Sequence, residues 1–151
     1  MTINTNHSSA LAPVDFRPML WANWMALRNG DLSLVEEILA PTVAAHLPAT
    51  ADGPEHLDGR QALVGWLSAR HDRHPDARLT VGVGPIIGPD LIAGRWTRTD
   101  DGGDGPIGAH RRVDGTACGV DIIRIDGDRI AEYWGHDDSY QLERCLAYSA
   151  A

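Results

Sequence analysis

Hydrophobic positions in the first half of the chain recur at helical spacing. Leu20, Trp24 and Leu27 fall at i, i+4 and i+7, which predicts a helix capped by Asp15 and running to Asn29. Pro18 sits in its first turn, where a missing N–H costs nothing, and Asn29-Gly30 supplies the stop. Asp31 caps a short second helix carrying Leu34, Val35, Ile38 and Leu39 as far as Pro41. A third pattern through Leu63, Trp66, Leu67 and Arg70 predicts a helix from Asp58 to about His74-Pro75, with Gln61 as the partner of a capping box.

Beyond Pro75 the period changes. Ala77–Val83, Leu91–Thr99, Thr116–Ile125 and Arg129–His136 are short, rich in Val, Ile, Thr and aromatics, and separated by Gly, Pro and Asp, which predicts strands. Asp126-Gly127-Asp128 reads as a tight hairpin turn. The Gly-rich segment Asp100–Gly115 reads as a long loop or the rim of a mouth, and Ser139–Ala147 as a closing amphipathic piece. Residues 1–12 read as a loose tail before a single domain over 13–151. Helices followed by a strand meander predict an α+β fold, a curved antiparallel sheet wrapped on three N-terminal helices. A strongly bent sheet and its helices leave a concave, mostly apolar pocket between them.

Composition narrows the chemistry. The chain has 151 residues, 43% of them hydrophobic, enough for one packed core. A net charge of −8 argues against binding nucleic acid, which needs clustered positive charge. All 13 basic residues are Arg, so Schiff-base chemistry, pyridoxal phosphate attachment and a Walker-A lysine are excluded. Two cysteines, Cys118 and Cys145, make neither a zinc site nor a disulfide framework. Without an apolar stretch of about 18 residues or a recognisable leader, no membrane association and a cytoplasmic location are the expectation. His136-Asp137-Asp138 resembles a metal cluster, but alternation sends neighbours to opposite faces, and Asp138 suits capping of the final helix. No metal and no cofactor are expected.

Strand alternation selects the side chains that could face the pocket. One face of the second strand carries Trp96, Arg98 and Asp100, and one face of the third carries Asp121, Ile123 and Ile125. Asp121 lies amid Val120, Ile122 and Ile123, where a carboxylate is costly unless partnered, by Arg98 or Arg124 for example. A carboxyl held in such surroundings is suited to shuttling a proton. Tyr133 shares a strand face with Gly135, which would point its phenol toward a ligand. Among five tryptophans, Trp24 and Trp96 are candidate walls for a flat or polycyclic ligand.

The stretch Gly119–Trp134, followed by Asp138 and Leu142, resembles the C-terminal hairpin of SnoaL-like polyketide cyclases of the nuclear-transport-factor-2-like superfamily. Leu27–Leu32, the segment from Ala40-Pro-Thr-Val to His46, and Gly59-Arg-Gln-Ala-Leu63 fit the same pattern. The resemblance implies the NTF2-like cone, a homodimer, and a cofactor-independent cyclase or isomerase. It would act on a small, hydrophobic, oxygenated substrate such as a polyketide or terpenoid of natural-product biosynthesis. It places the family's assisting histidine at Asp121 and its catalytic acid at Gly135, so either Asp121 has taken over the proton transfer from the neighbouring strand or this member no longer does that reaction. Gly135 then leaves room, for a larger ligand or for Asp121. Catalytic candidates are Asp121, His46, Arg98, Asp100 and Tyr133, and substrate-binding candidates are Trp24, Trp96, Gly135 and His136. Arg98-Thr-Asp100 also resembles part of the Asp–Arg–Asp set of limonene-epoxide-hydrolase-like enzymes, so an epoxide-opening enzyme is the alternative, with a non-catalytic small-molecule carrier as a third reading.

Overall fold

The protein is described by a computed structural model over residues 14–48, 53–99 and 116–138. The expected tail, the Asp100–Gly115 loop and the final amphipathic piece lie outside those residues. Helix α1 spans Arg17–Arg28, with Pro18 in its first turn. Asp15 does not act as its N-cap: its carboxylate is engaged by the backbone and guanidinium of Arg17, and Phe16 begins the helix without a side-chain cap. Asp31 does serve as a cap, accepting from the Ser33 amide at the start of a single 3₁₀ turn, Leu32–Leu34, that leads into α2, Val35–Ile38.

The chain then becomes extended earlier than the helical pattern suggests. Strand β1 runs Leu39–His46, and a three-residue strand β2, His56–Asp58, pairs with it. Asp58 is therefore strand, not cap. Gly59, at φ +87°, turns the backbone into α3, Arg60–Arg73, and no capping box forms. Strands β3 (Arg78–Ile87), β4 (Leu91–Thr99), β5 (Thr116–Asp126) and β6 (Arg129–Asp137) form the expected antiparallel meander. The six strands make one curved, unclosed sheet in the order β2-β1-β6-β5-β4-β3, with β1 parallel to β6 and every other pair antiparallel. With the helices against one face, this is the NTF2-like α+β cone. No helix among the described residues is long and apolar enough to cross a membrane.

The core lies between α1, α3 and the inward sheet face. Leu20, Trp24 and Leu27 of α1 meet Val43 and Ala45 of β1, Ile92 and Trp96 of β4, Ile123 of β5 and Tyr133 of β6 in one cluster. The expected concavity is largely filled, and glycines are the reason. Asp121 pairs in register with Gly94 on one side and Gly135 on the other, and Gly119 precedes it on the same face. A Cβ on Gly94 would lie 2.4 Å from the Trp21 ring, and one on Gly119 would lie 2.1 Å from the Trp96 ring and 2.3 Å from the His136 carbonyl oxygen. Aromatic rings occupy the space that those side chains would have taken.

Candidate active site around Asp121

Asp121 is fully buried on the inward face of β5. A carboxylate is acceptor-only, with about four lone-pair directions to satisfy, and α1 and the sheet supply four groups. Trp24 donates its indole N–H to Oδ2 at 2.9 Å, Trp96 donates to Oδ1 at 2.9 Å, and the Tyr133 hydroxyl donates to Oδ1 at 3.1 Å. Arg28 Nε closes the set 3.2 Å from Oδ2, as an ion pair without hydrogen-bond alignment. The cation beside Asp121 thus comes from the last turn of α1, not from Arg98 or Arg124. Arg124 is bound to Glu132 on the other sheet face.

Arg28 is the hub of the cluster. Its Nη1 donates to the Tyr133 oxygen at 3.1 Å, and its guanidinium carbon lies 5.4 to 6.0 Å from the rings of Trp24, Trp66, Trp96 and Tyr133. Burial opposes the charge of Arg28, but Asp121, then Tyr133 and Asp137, outweigh it and raise its pKa. The guanidinium is therefore a permanent buried cation. Burial also pushes the Tyr133 phenol well above its ordinary value; Arg28 opposes the rise, while the charge and hydrogen bond of Asp121 reinforce it. Tyr133 stays a neutral hydroxyl that donates to Asp121 and accepts from Arg28.

A narrow cleft, about 200 Å³ including its open mouth, fronts this cluster. Arg28, Trp66, Trp96, Tyr133, Gly135 and His136 help to wall it, with Asp137 and Arg70 at its side. Asp121 does not reach the cleft surface; Tyr133 and Arg28 do. The expected direct meeting of Asp121 with a ligand is thereby corrected, because its own donors cover it. Gly135 explains how Tyr133 comes to be there: a Cβ at that position would lie 2.2 Å from the phenolic oxygen. The missing side chain makes room for neither a larger ligand nor Asp121 but for the Tyr133 hydroxyl, which leans along β6 to the strand partner of Asp121. Gly135→Ala should therefore push the phenol off Asp121 and lower any Tyr133-dependent turnover by at least roughly tenfold; unchanged turnover would show that the contact is dispensable.

The remaining candidates occupy several different places. Trp96 both walls the cleft and bonds Asp121, whereas Trp24 lies wholly behind, as a partner of Asp121. Arg98 is on the inward face of β4, paired with Ala117 and four residues along from the Gly94 that opposes Asp121, roughly 13 Å at the usual strand rise. It walls a second cavity instead. Asp100 lies outside the described residues. His46 does not reach the cleft. Since Ala45 is the inward residue of that pair, His46 points to the far face, bonded to Glu132 at 2.7 Å and stacked on Trp134. Hydrogen bonds from His46 and then Arg124 lower the pKa of Glu132 below its ordinary value of 4.5. A lowered folded-state pKa contributes stability that is present above about pH 4.5 and lost as pH falls through the folded value. Glu132→Gln should flatten that acid limb in urea titrations between pH 6 and pH 3, while leaving the cleft intact; an unaltered acid limb would refute the contribution.

Arg28, Trp66 and Arg70 are site residues that sequence reasoning missed. Trp21, Trp24 and Arg28 fall at i, i+3 and i+7 on one face of α1, a spacing that would have marked Arg28 as inward. Arg70 lies 5.0 Å over the Trp66 ring and donates to the buried Asp137 at 3.4 Å. Among the described residues, no three His, Cys, Asp or Glu side chains converge as metal ligands do.

Solved structures of other proteins share this architecture. The wild-type structure of IdmH from Streptomyces antibioticus, a candidate polyketide cyclase, is 25% identical; it matches 86% of this chain and 97% of its own, with a TM-score of 0.67. A candidate polyketide cyclase from Acidithiobacillus ferrooxidans, 14% identical, matches 91% of this chain and 99% of its own at TM-score 0.65. A candidate isomerase of the SnoaL-like family from Agrobacterium tumefaciens, 18% identical, matches 81% and 97% at 0.62. The last two likenesses show the fold alone. No curated protein matches the chain. The SnoaL-like domain profile matches residues 21–133, three quarters of the sequence and the whole of the Arg28–Asp121–Tyr133 cluster, and the chain belongs to that family.

Proposed function

We propose that the protein is a cofactor-independent cyclase or isomerase that moves a proton on a hydrophobic, oxygenated small molecule. The observation that carries this reading is the Tyr133 hydroxyl, which fronts the cleft while bonded at 3.1 Å to both the buried Asp121 and Arg28. A carbonyl compound in the cleft would lose an α-proton to the Tyr133 oxygen as the phenolic proton passes to Asp121 Oδ1. The C–H electron pair moves onto the carbonyl oxygen, where Arg28 offsets the developing negative charge. The resulting enolate then either attacks a second carbonyl of the same molecule, closing a ring, or regains a proton at another carbon by the reverse relay. Because the free phenolate is strongly disfavoured, the two proton movements are coupled, and Asp121 acts through Tyr133. Trp66 and Trp96 suit a flat ligand.

This arrangement favours proton transfer over epoxide opening, since the cation at Asp121 is Arg28 and not the Arg98 of an Asp–Arg–Asp set. Homodimerisation and a place in natural-product biosynthesis belong to the same proposal, on the family resemblance alone, and a cytoplasmic location joins them on the sequence pattern. The test is deuterium uptake at the α-carbon of α-tetralone, a neutral bicyclic aryl ketone, in D₂O buffer. The protein is expected to accelerate uptake well above buffer, and to do so less when naphthalene-1-acetamide competes for the cleft. No acceleration would overturn the reading in favour of a carrier.

A further inference from the structure

The Tyr133 cleft as it stands has room for little more than a water-sized guest, well short of the roughly 300–1,000 Å³ of a usual ligand site. A substrate therefore enters only if a wall moves. One side of the cleft is fixed. Trp96 and Tyr133 stand on ladder-bonded strands and donate to Asp121, and Arg28 is paired to the same carboxylate. The facing side is α3, which contributes Trp66 and Arg70.

Helix α3 is held unequally along its length. Its first turn is anchored: the Arg60 guanidinium donates to the Leu39 carbonyl and pairs with Glu36, and Leu63 is fully buried in the core. Beyond Leu67 no residue of the helix is buried. That half stands between the cleft on one side and, on the other, the second cavity, bordered by Leu67, Arg70 and His71. With voids on both sides, little packing resists a sideways shift. Gly65 divides the two halves. It is exposed, and a Cβ there would meet nothing within 4 Å, so packing does not ask for glycine. Inside a helix glycine is less favourable than alanine, and small residues often serve as hinges. Contacts that close the far end include Arg70, which reaches across the mouth to Asp137 at a long 3.4 Å, and the His71 ring, which lies against Gly30 at the end of α1. Arg70 also sits 5.0 Å over the Trp66 ring, so the two side chains move together.

We propose that the second half of α3, residues 66–73, is a gate. It swings about Gly65 away from β6 and into the second cavity, parting Arg70 from Asp137 and widening the cleft for a substrate. The bound state is the open one, so affinity depends on how often the free protein opens. The proposal rests on the small-molecule reading of the cleft and adds the route of entry.

Two variants bias the gate in opposite directions: Asp137→Asn loosens its latch, and Gly65→Ala stiffens its hinge. Hydrogen exchange, followed by NMR without ligand, reads opening at the amides of residues 66–69, whose helix bonds span Gly65. Their exchange is expected to be at least about threefold faster in Asp137→Asn and at least about threefold slower in Gly65→Ala, with the amides of α1 unchanged. The Kd of naphthalene-1-acetamide, from quenching of tryptophan fluorescence, is expected to fall in Asp137→Asn and to rise in Gly65→Ala by like factors. A contact role for Asp137 predicts weaker binding in Asp137→Asn instead. Exchange at these amides that ignores both variants overturns the gate, as does opening confined to residues 70–73. Exchange that responds while binding does not, or an amide ligand that fails to bind even Asp137→Asn, overturns the link to the cleft. The exchange is read without substrate, so the gate fails separately from the proton transfer tested with α-tetralone.

Discussion

Asp121→Ala is expected to lower the stability of the protein by about 3–5 kcal/mol, a large part of the 5–15 kcal/mol typical of a domain. The loss has two sources. Arg28 remains buried and charged with its closest anion gone, and it cannot shed its proton. Trp24, Trp96 and Tyr133 each lose the acceptor that satisfied them, and Trp24, wholly behind the cleft, has no water to replace it. Urea unfolding followed by tryptophan fluorescence measures the change directly. Asp121→Asn keeps the shape but presents an NH₂ to a ring of donors, so it should recover only part of the loss. A cost below about 1 kcal/mol for the alanine variant would mean that the cluster does not hold the fold together.

Arg28→Met is expected to cost about 3 kcal/mol or more, because it strips the cation from a buried carboxylate while keeping most of the volume of the side chain. Trp24, Trp96 and Tyr133 still donate to Asp121, which is why the loss should not exceed that of Asp121→Ala. Combining Arg28→Met with Asp121→Leu removes both charges at once. The pair should then lose at least about 2 kcal/mol less than the sum of the single variants, the mark of a direct buried ion pair. Recovery stays incomplete because two indole N–H groups and a phenol are left without an acceptor. Additive losses in that cycle would show that Arg28 and Asp121 act independently.

How much of this was legible in the sequence differs between fold and site. Local periodicity revealed α1, α3 and the meander from β3 to β6, because each buries one face against its neighbours and repeats accordingly. Strand β1 was harder to see. Leu39 continues the spacing of the short helix, Pro41 interrupts the strand pattern, and what holds the segment extended is its parallel pairing with a strand from the other end of the chain. Asp58 has the chemistry of an N-cap, but its residue is drawn into pairing with Ala44, and the helix begins after Gly59. The burial of Asp121 followed from its place among Val and Ile on a regular strand. Its cation did not, since an arginine at the end of a helix looks the same whether it offsets the helix dipole or turns inward. His46 was misplaced by resemblance, and alternation from Ala45 corrects it. Gly135 was noticed as a vacancy, but its meaning needed the third dimension: Gly94, Gly119 and Gly135 lie in phase on three adjacent strands and give the aromatic rings room around Asp121.

The most direct measurement is deuterium uptake into α-tetralone by Tyr133→Phe, taken at saturating ketone together with the Kd of the ketone. Phenylalanine keeps the ring against Trp24, at 4.7 Å between centroids, and removes only the hydroxyl that joins the cleft to Asp121. If the proton travels through that oxygen, the rate constant falls at least about 100-fold while Kd stays within about threefold. An exchange rate equal to that of the unaltered protein would contradict the relay and leave the Arg28–Asp121–Tyr133 cluster as architecture alone.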